Sequence, residues 1–180
     1  VTTLVQLLMK DRNGELSVAC GEIEDWPELP LRMLIGWVRS DRRPREVIDL
    51  AFRYKFNRIF YGLWNWTSYE RLTEEDRLMV EHARKLGIEL TLQLSRLSFR
   101  DDFDGTNPND VHKVLAVYDE AVEAGFRSFG IMFDDQTLQS VEAEMNLTLA
   151  ICGRLEERLG ENFEFTFCPE VYWVPGELAG

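Results

Sequence analysis

The sequence predicts a parallel α/β fold of the (β/α)8 TIM-barrel type, with about five β/α units present behind the tail of a small α/β domain. Three observations carry this. A helical pattern ending in glycine and followed by an apolar strand recurs at Gly87, Gly125 and Gly160, the rhythm of right-handed βαβ units. Phe129, Ile131 and Phe133 alternate with Ser128, Gly130 and Met132, which reads as a strand with two apolar faces, covered on both sides. No glycine-rich phosphate loop follows any strand, so a nucleotide-binding open sheet loses its usual support and the barrel is preferred.

In order, Thr2 to Met9 reads as a short apolar helix, Asp11-Arg12-Asn13-Gly14 as a turn, and Leu16 to Ile23 as a short strand. Glu24-Asp25-Trp26-Pro27-Glu28-Leu29-Pro30 cannot be regular, because each proline removes a donor and restricts its predecessor. Residues 1–30 are therefore the end of a preceding domain plus a linker, and 31–180 the N-terminal part of a barrel. Strand one is expected over Arg32 to Val38, with a helix after Pro44, where proline is tolerated. Strand two covers Asn57 to Leu63. Thr73 followed by Glu74, Glu75 and Asp76 starts a helix running to Leu86. Strand three is Ile88 to Leu94, and Asn109 caps a helix that stops at Gly125. Strand four is Phe126 to Phe133, a helix spans about Leu138 to Leu159, and strand five is Phe163 to Cys168.

Composition narrows the function. The chain of 180 residues is 45% hydrophobic, enough for one sizeable core, and its formal net charge of −12 disfavours nucleic acid and anionic membrane surfaces as partners. No apolar run approaches the ~20 residues of a membrane span, and no signal peptide is visible. The chain reads as soluble; its compartment stays open, with secretion or a periplasmic location of the full-length protein among the options. Val1 in place of a starting methionine suggests processing or excision from a longer protein. Cys20, Cys152 and Cys168 lack metal-ligand spacing, and no metal or other cofactor is expected.

Strand four ends abruptly in Asp134-Asp135. The carboxyl ends of parallel strands are where chemistry sits in such folds. An isolated acid pair serves equally as solvated turn acids or a helix N-cap. Trp37, Trp64, Trp66, Tyr172 and Trp173 also fall at or just past strand ends. A barrel would gather them around one mouth beside the acids, which suits a neutral, hydroxyl-rich ligand that stacks on rings.

Ser128-Phe129-Gly130-Ile131-Met132-Phe133-Asp134-Asp135 resembles the strand-four motif of glycoside hydrolase family 84, the O-GlcNAcase and bacterial "hyaluronidase" β-N-acetylglucosaminidases. Phe167-Cys168-Pro169-Glu170-Val171-Tyr172 is similar to that family's strand-five segment. Residues 21–32 look more like the linker that leads into the barrel of family 20 hexosaminidases. Both families share the barrel and substrate-assisted catalysis. The resemblance implies that the substrate's 2-acetamido oxygen attacks the anomeric carbon, with Asp134 orienting the acetamido group. It implies that Asp135 is general acid and base, and that Tyr172 hydrogen-bonds the acetamido oxygen. Sugar contacts are expected at Gly36, Trp37 and Arg39 after strand one, Trp64 and Asn65 after strand two, and Trp173 after strand five.

The chain departs from the family 84 pattern at Gly36-Trp37-Val38-Arg39, where a Gly-Phe-Tyr-Gly run is expected, and at Gly62-Leu63-Trp64, where Gly-Pro-Lys is expected. The reaction type is thus better marked than the substrate. A catalytically inactive sugar-binding barrel remains a second reading. A metal enzyme using both aspartates is a third; its third ligand is wanting, because His82 and His112 fall within predicted helices. Five strands leave two open edges, so the expectation is either that the natural protein continues past Gly180 or that this piece self-associates through those edges. In both cases the isolated 180 residues should show little or no turnover.

Overall fold

The computed structural model describes residues 7–18, 21, 22, 24, 27–36, 38–40, 43–62, 71–95, 103–133 and 140–170. Thr2 to Gln6 of the expected helix lie outside the described residues, and its Leu8 and Met9 belong to a strand instead. β1 (Leu8–Lys10) pairs antiparallel with β2 (Leu16–Val18). The turn between them decides this: Asp11 Oδ1 accepts from the amides of Asn13 and Glu15, both at 2.8 Å, and Gly14 adopts φ 87°. An aspartate closing its own turn reverses the chain and leaves a hairpin, whatever the apolar pattern before it suggests. Within the linker, Ile23, Asp25 and Trp26 lie outside the described residues.

Five parallel strands follow, in the spatial order β3 (Met33–Leu34), β4 (Arg58–Gly62), β5 (Glu89–Ser95), β6 (Ser128–Met132) and β7 (Glu164–Cys168). Helices α1 (Pro44–Arg53), α2 (Glu74–Lys85), α3 (Pro108–Ala124) and α4 (Val141–Leu159) connect them. Their ends follow sequence chemistry. Pro44 and Pro108 sit in first turns, where no amide is needed. Thr73 and Asp76 form a reciprocal capping box, and Gly125 leaves α3 with φ 101°. The cap of α3 is Asn107, not Asn109: Asn107 Oδ1 accepts from Asn109 N at 2.9 Å, because Pro108 takes the first helical position. Ser140 caps α4 by accepting from Ala143 N at 3.1 Å.

Strand one is shorter than expected. Only Met33 and Leu34 pair with β4, and Val38–Ser40 forms a 3-10 turn that tucks Val38 into the core. On one face of the sheet, Ile59, Tyr61, Leu90, Leu92, Leu94, Phe129, Ile131 and Phe133 pack against the helices. The opposite face corrects the expectation of a second apolar surface: around β5 and β6 it is small and polar. Thr91 and Ser128 lie in register and share a 2.8 Å hydroxyl contact.

That polar face is concave. Arg58 on β4 forms an ion pair with Glu164 on β7, three strands away. In a flat sheet, strands so separated would stand ~14 Å apart with side chains perpendicular to it. The contact requires the sheet to curl, as in half of a barrel. Among the described residues β3 and β7 pair on one side only, and Ile35 (71%) and Phe167 (38%) are exposed at these edges.

Candidate functional site

Parallel pairing brings all five strands to a common carboxyl edge, ending at Leu34, Gly62, Ser95, Met132 and Cys168. The β6–β7 ladder continues one residue further, with Phe133 N donating to Cys168 O at 2.9 Å. Phe133, fully buried, anchors β6 against Phe167 with ring centroids 6.1 Å apart. The next residue in the chain is Asp134. Of the expected site residues, Asp134, Asp135, Tyr172, Trp37, Trp64, Asn65 and Trp173 lie outside the described residues. Gly36 and Arg39 lie within them.

Gly36 follows β3 and is partly exposed. Arg39 is committed to an interaction that sequence reasoning missed. Its Nε lies 2.6 Å from Asp76 Oδ1 and its Nη2 2.9 Å from Asp76 Oδ2, with a further 3.2 Å contact from Nη2 to the Arg71 carbonyl. Tyr61 OH donates to the same carboxylate at 2.8 Å, and Thr73 contributes its amide at 2.6 Å and its hydroxyl at 2.8 Å. Burial alone would raise the Asp76 pKa, but hydrogen bonds from Arg39 and Thr73 outweigh it and hold the carboxyl below its usual range. The same burial, reinforced by the Asp76 charge, pushes Tyr61 well above an ordinary phenol. The network ties the segment after β3 to the end of β4 and the start of α2. Arg39 thus braces the chain next to Trp37.

A second feature lies on the concave face. Gly62, Gln93, Gly130 and Thr166 are in register across β4 to β7, one inward-facing layer below Ser95, Met132 and Cys168. Gln93 is 1% exposed, and a Cβ on Gly130 would stand 2.3 Å from its Oε1. The sequence signal was a lone amide within the strand from Ile88 to Leu94.

The histidines sit elsewhere. His82 Nε2 is 2.7 Å from Asp49 Oδ1, linking α2 to α1, and His112 is exposed on α3. Among the described residues no group of three or more His, Cys, Asp or Glu side chains could hold a metal ion.

No protein-family model matches the chain. The O-GlcNAcase proteins of rat and mouse are each 24% identical over 175 residues, covering 88% of this chain and 18% of theirs. Among solved structures, a mutant O-GlcNAc hydrolase of Thermobaculum terrenum is similar with a TM-score of 0.60 at 17% identity, over 81% of this chain and 35% of that one. The protein CpGH84B is similar with a TM-score of 0.64 at 18% identity, over 96% of this chain and 32% of that one. The chain therefore spans under a fifth of these curated relatives and about a third of these structures. At such identities the structural likeness shows the fold.

Proposed function

We propose that this chain is part of a glycoside hydrolase that removes terminal β-linked N-acetylglucosamine-type residues with retention, through an oxazoline intermediate. One observation carries the reading: in a parallel half-barrel, the β6 ladder runs to Phe133, the residue before Asp134-Asp135. This is the edge at which barrel enzymes assemble their sites. The similar proteins named O-GlcNAcase and O-GlcNAc hydrolase support the same chemistry.

In the proposed reaction Asp134 accepts the acetamido N–H and orients the carbonyl oxygen toward the anomeric carbon. A bond forms between that oxygen and the carbon while the glycosidic C–O bond breaks. Asp135 gives its proton to the departing oxygen. Tyr172 donates to the acetamido oxygen and keeps it in line. Asp135, now a carboxylate, takes a proton from water as the water oxygen opens the oxazoline at the same carbon. Two inversions give retention without an enzyme nucleophile. Trp37, Trp64 and Trp173 are proposed to stack on the sugar, with Gly36 and Asn65 at its hydroxyls. Arg39, braced by Asp76, contributes chiefly by holding the Trp37 segment.

That commitment of Arg39, with Trp64 where family 84 has lysine, favours a second reading, a sugar-binding barrel without turnover. Hydrolysis of an aryl β-N-acetylglucosaminide and the matching glucoside by the full-length protein separates the two. Cleavage of the first alone supports the proposal; binding of both without nitrophenol release supports the alternative.

A further inference from the structure

Gln93 presents a buried acceptor with no donor among the described residues. Its Nε2 donates to Leu94 O at 3.1 Å. Oε1 then has no hydrogen-bond partner among the described residues, although Gln93 is 1% exposed. Leaving a buried acceptor unsatisfied is costly, so natural structures seldom do it without a reason.

Its surroundings are built to keep it there. A Cβ at Gly130 would fall 2.3 Å from Oε1 and 2.9 Å from the Thr166 carbonyl, so only glycine leaves that volume to the amide. Nε2 reaches the carbonyl of Leu94, the following residue, while Oε1 lies over Gly130, the register partner on β6. Ser95 and Met132 form the next layer up, and the chain reaches Asp134 two residues beyond Met132. The packing of Leu90, Leu92 and Leu94 against the helices leaves Thr91, Gln93 and Ser95 on the concave face.

We infer that Gln93 is a specificity-determining residue in the floor of the sugar site, and that Oε1 accepts a hydrogen bond from the acyl end of the 2-acylamino group. This rests on the hydrolase reading, in which that group enters the barrel beside Asp134. The ligand class follows from the chemistry. A plain acetyl methyl offers Oε1 no donor, whereas a hydroxyl-bearing acyl group such as N-glycolyl does. The enzyme is thereby tuned toward 2-acylamino sugars whose acyl group carries a donor.

The test compares kcat/KM for aryl β-glycosides of N-glycolylglucosamine and N-acetylglucosamine in the full-length protein, Gln93→Met and Gln93→Ala. One neutral hydrogen bond corresponds to about a fivefold preference, so the glycolyl-to-acetyl ratio should fall about fivefold in both variants. The N-acetyl value of each variant is its own reference, so a general loss of activity cancels in the ratio. Met and Ala differ in volume, so a packing defect would separate the variants, whereas loss of the acceptor moves their ratios together. An unchanged ratio in both, with wild type cleaving both substrates, overturns this inference and leaves the hydrolase reading standing. Cleavage of neither substrate by wild type overturns both.

Discussion

Replacing Asp76 with alanine probes the brace behind the site. The carboxylate, 3% exposed, accepts from Arg39 twice, from Tyr61 once and from Thr73 twice, at 2.6–2.9 Å. Truncation leaves the Arg39 guanidinium, whose side chain is 8% exposed, facing no carboxylate there, and leaves Tyr61 OH without that acceptor. Breaking a buried pair by removing one partner costs ~3–5 kcal/mol. Loss of the capping box at α2 contributes ~1 kcal/mol that overlaps with it, because Thr73 belongs to the same cluster. We expect a total of about 4 kcal/mol, which at ~2–4 °C per kcal/mol for a chain of this size lowers Tm by about 8–16 °C. Urea titration and thermal melts of Asp76→Ala measure it. The double variant Arg39→Met/Asp76→Leu should recover much of the loss, since it strands no charge. A cost below about 1 kcal/mol for Asp76→Ala would refute the reasoning and show the cluster to be solvent-screened.

Three further outcomes are expected. Asp76 has a folded pKa below its unfolded value, so its stabilisation is complete above the unfolded carboxyl pKa of ~3.9 and is lost as pH falls through the folded value. Wild type should therefore lose more stability than Asp76→Asn below about pH 4, as urea titrations across that range will show. Asp135→Asn should slow substrates with poor leaving groups most, while Asp134→Asn slows all N-acetyl substrates alike; equal penalties along a leaving-group series contradict these roles. The 180 residues alone, with β3 and β7 unpaired outward among the described residues, should self-associate and release little nitrophenol; a monodisperse monomer with full turnover in light scattering and assay contradicts this.

Local chemistry was legible wherever it acts within a few residues. Thr73 with Asp76, Pro44 and Gly125 mark helix ends because caps and turns are closed by near neighbours. The error at Asn109 is of the same kind: two asparagines flank Pro108, and only the proline's place at the first helical position shows which one caps. Strand one was overread because the apolar run through Val38 belongs to two elements, a strand that pairs over Met33–Leu34 and a turn that buries Val38. Arg39 and Asp76 lie 37 residues apart, and their pairing depends on how β4 and α2 place them. Gln93 opposite Gly130 needed the strand register before it could be recognised as more than a polar interruption. The concave polar face was invisible for the same reason, since periodicity marks buried positions without saying which of two buried faces lines a barrel.

The central claim, that the substrate's own acetamido oxygen is the nucleophile, is tested most directly by weakening that oxygen while leaving the rest of the sugar alone. Aryl β-glucosaminides bearing N-acetyl, N-fluoroacetyl, N-difluoroacetyl and N-trifluoroacetyl groups form such a series, because each fluorine withdraws electrons from the carbonyl. The account predicts that kcat/KM of the full-length protein falls steeply with each fluorine, by orders of magnitude across the series. A flat profile with retention of configuration would contradict it and point to an enzyme carboxylate as the nucleophile.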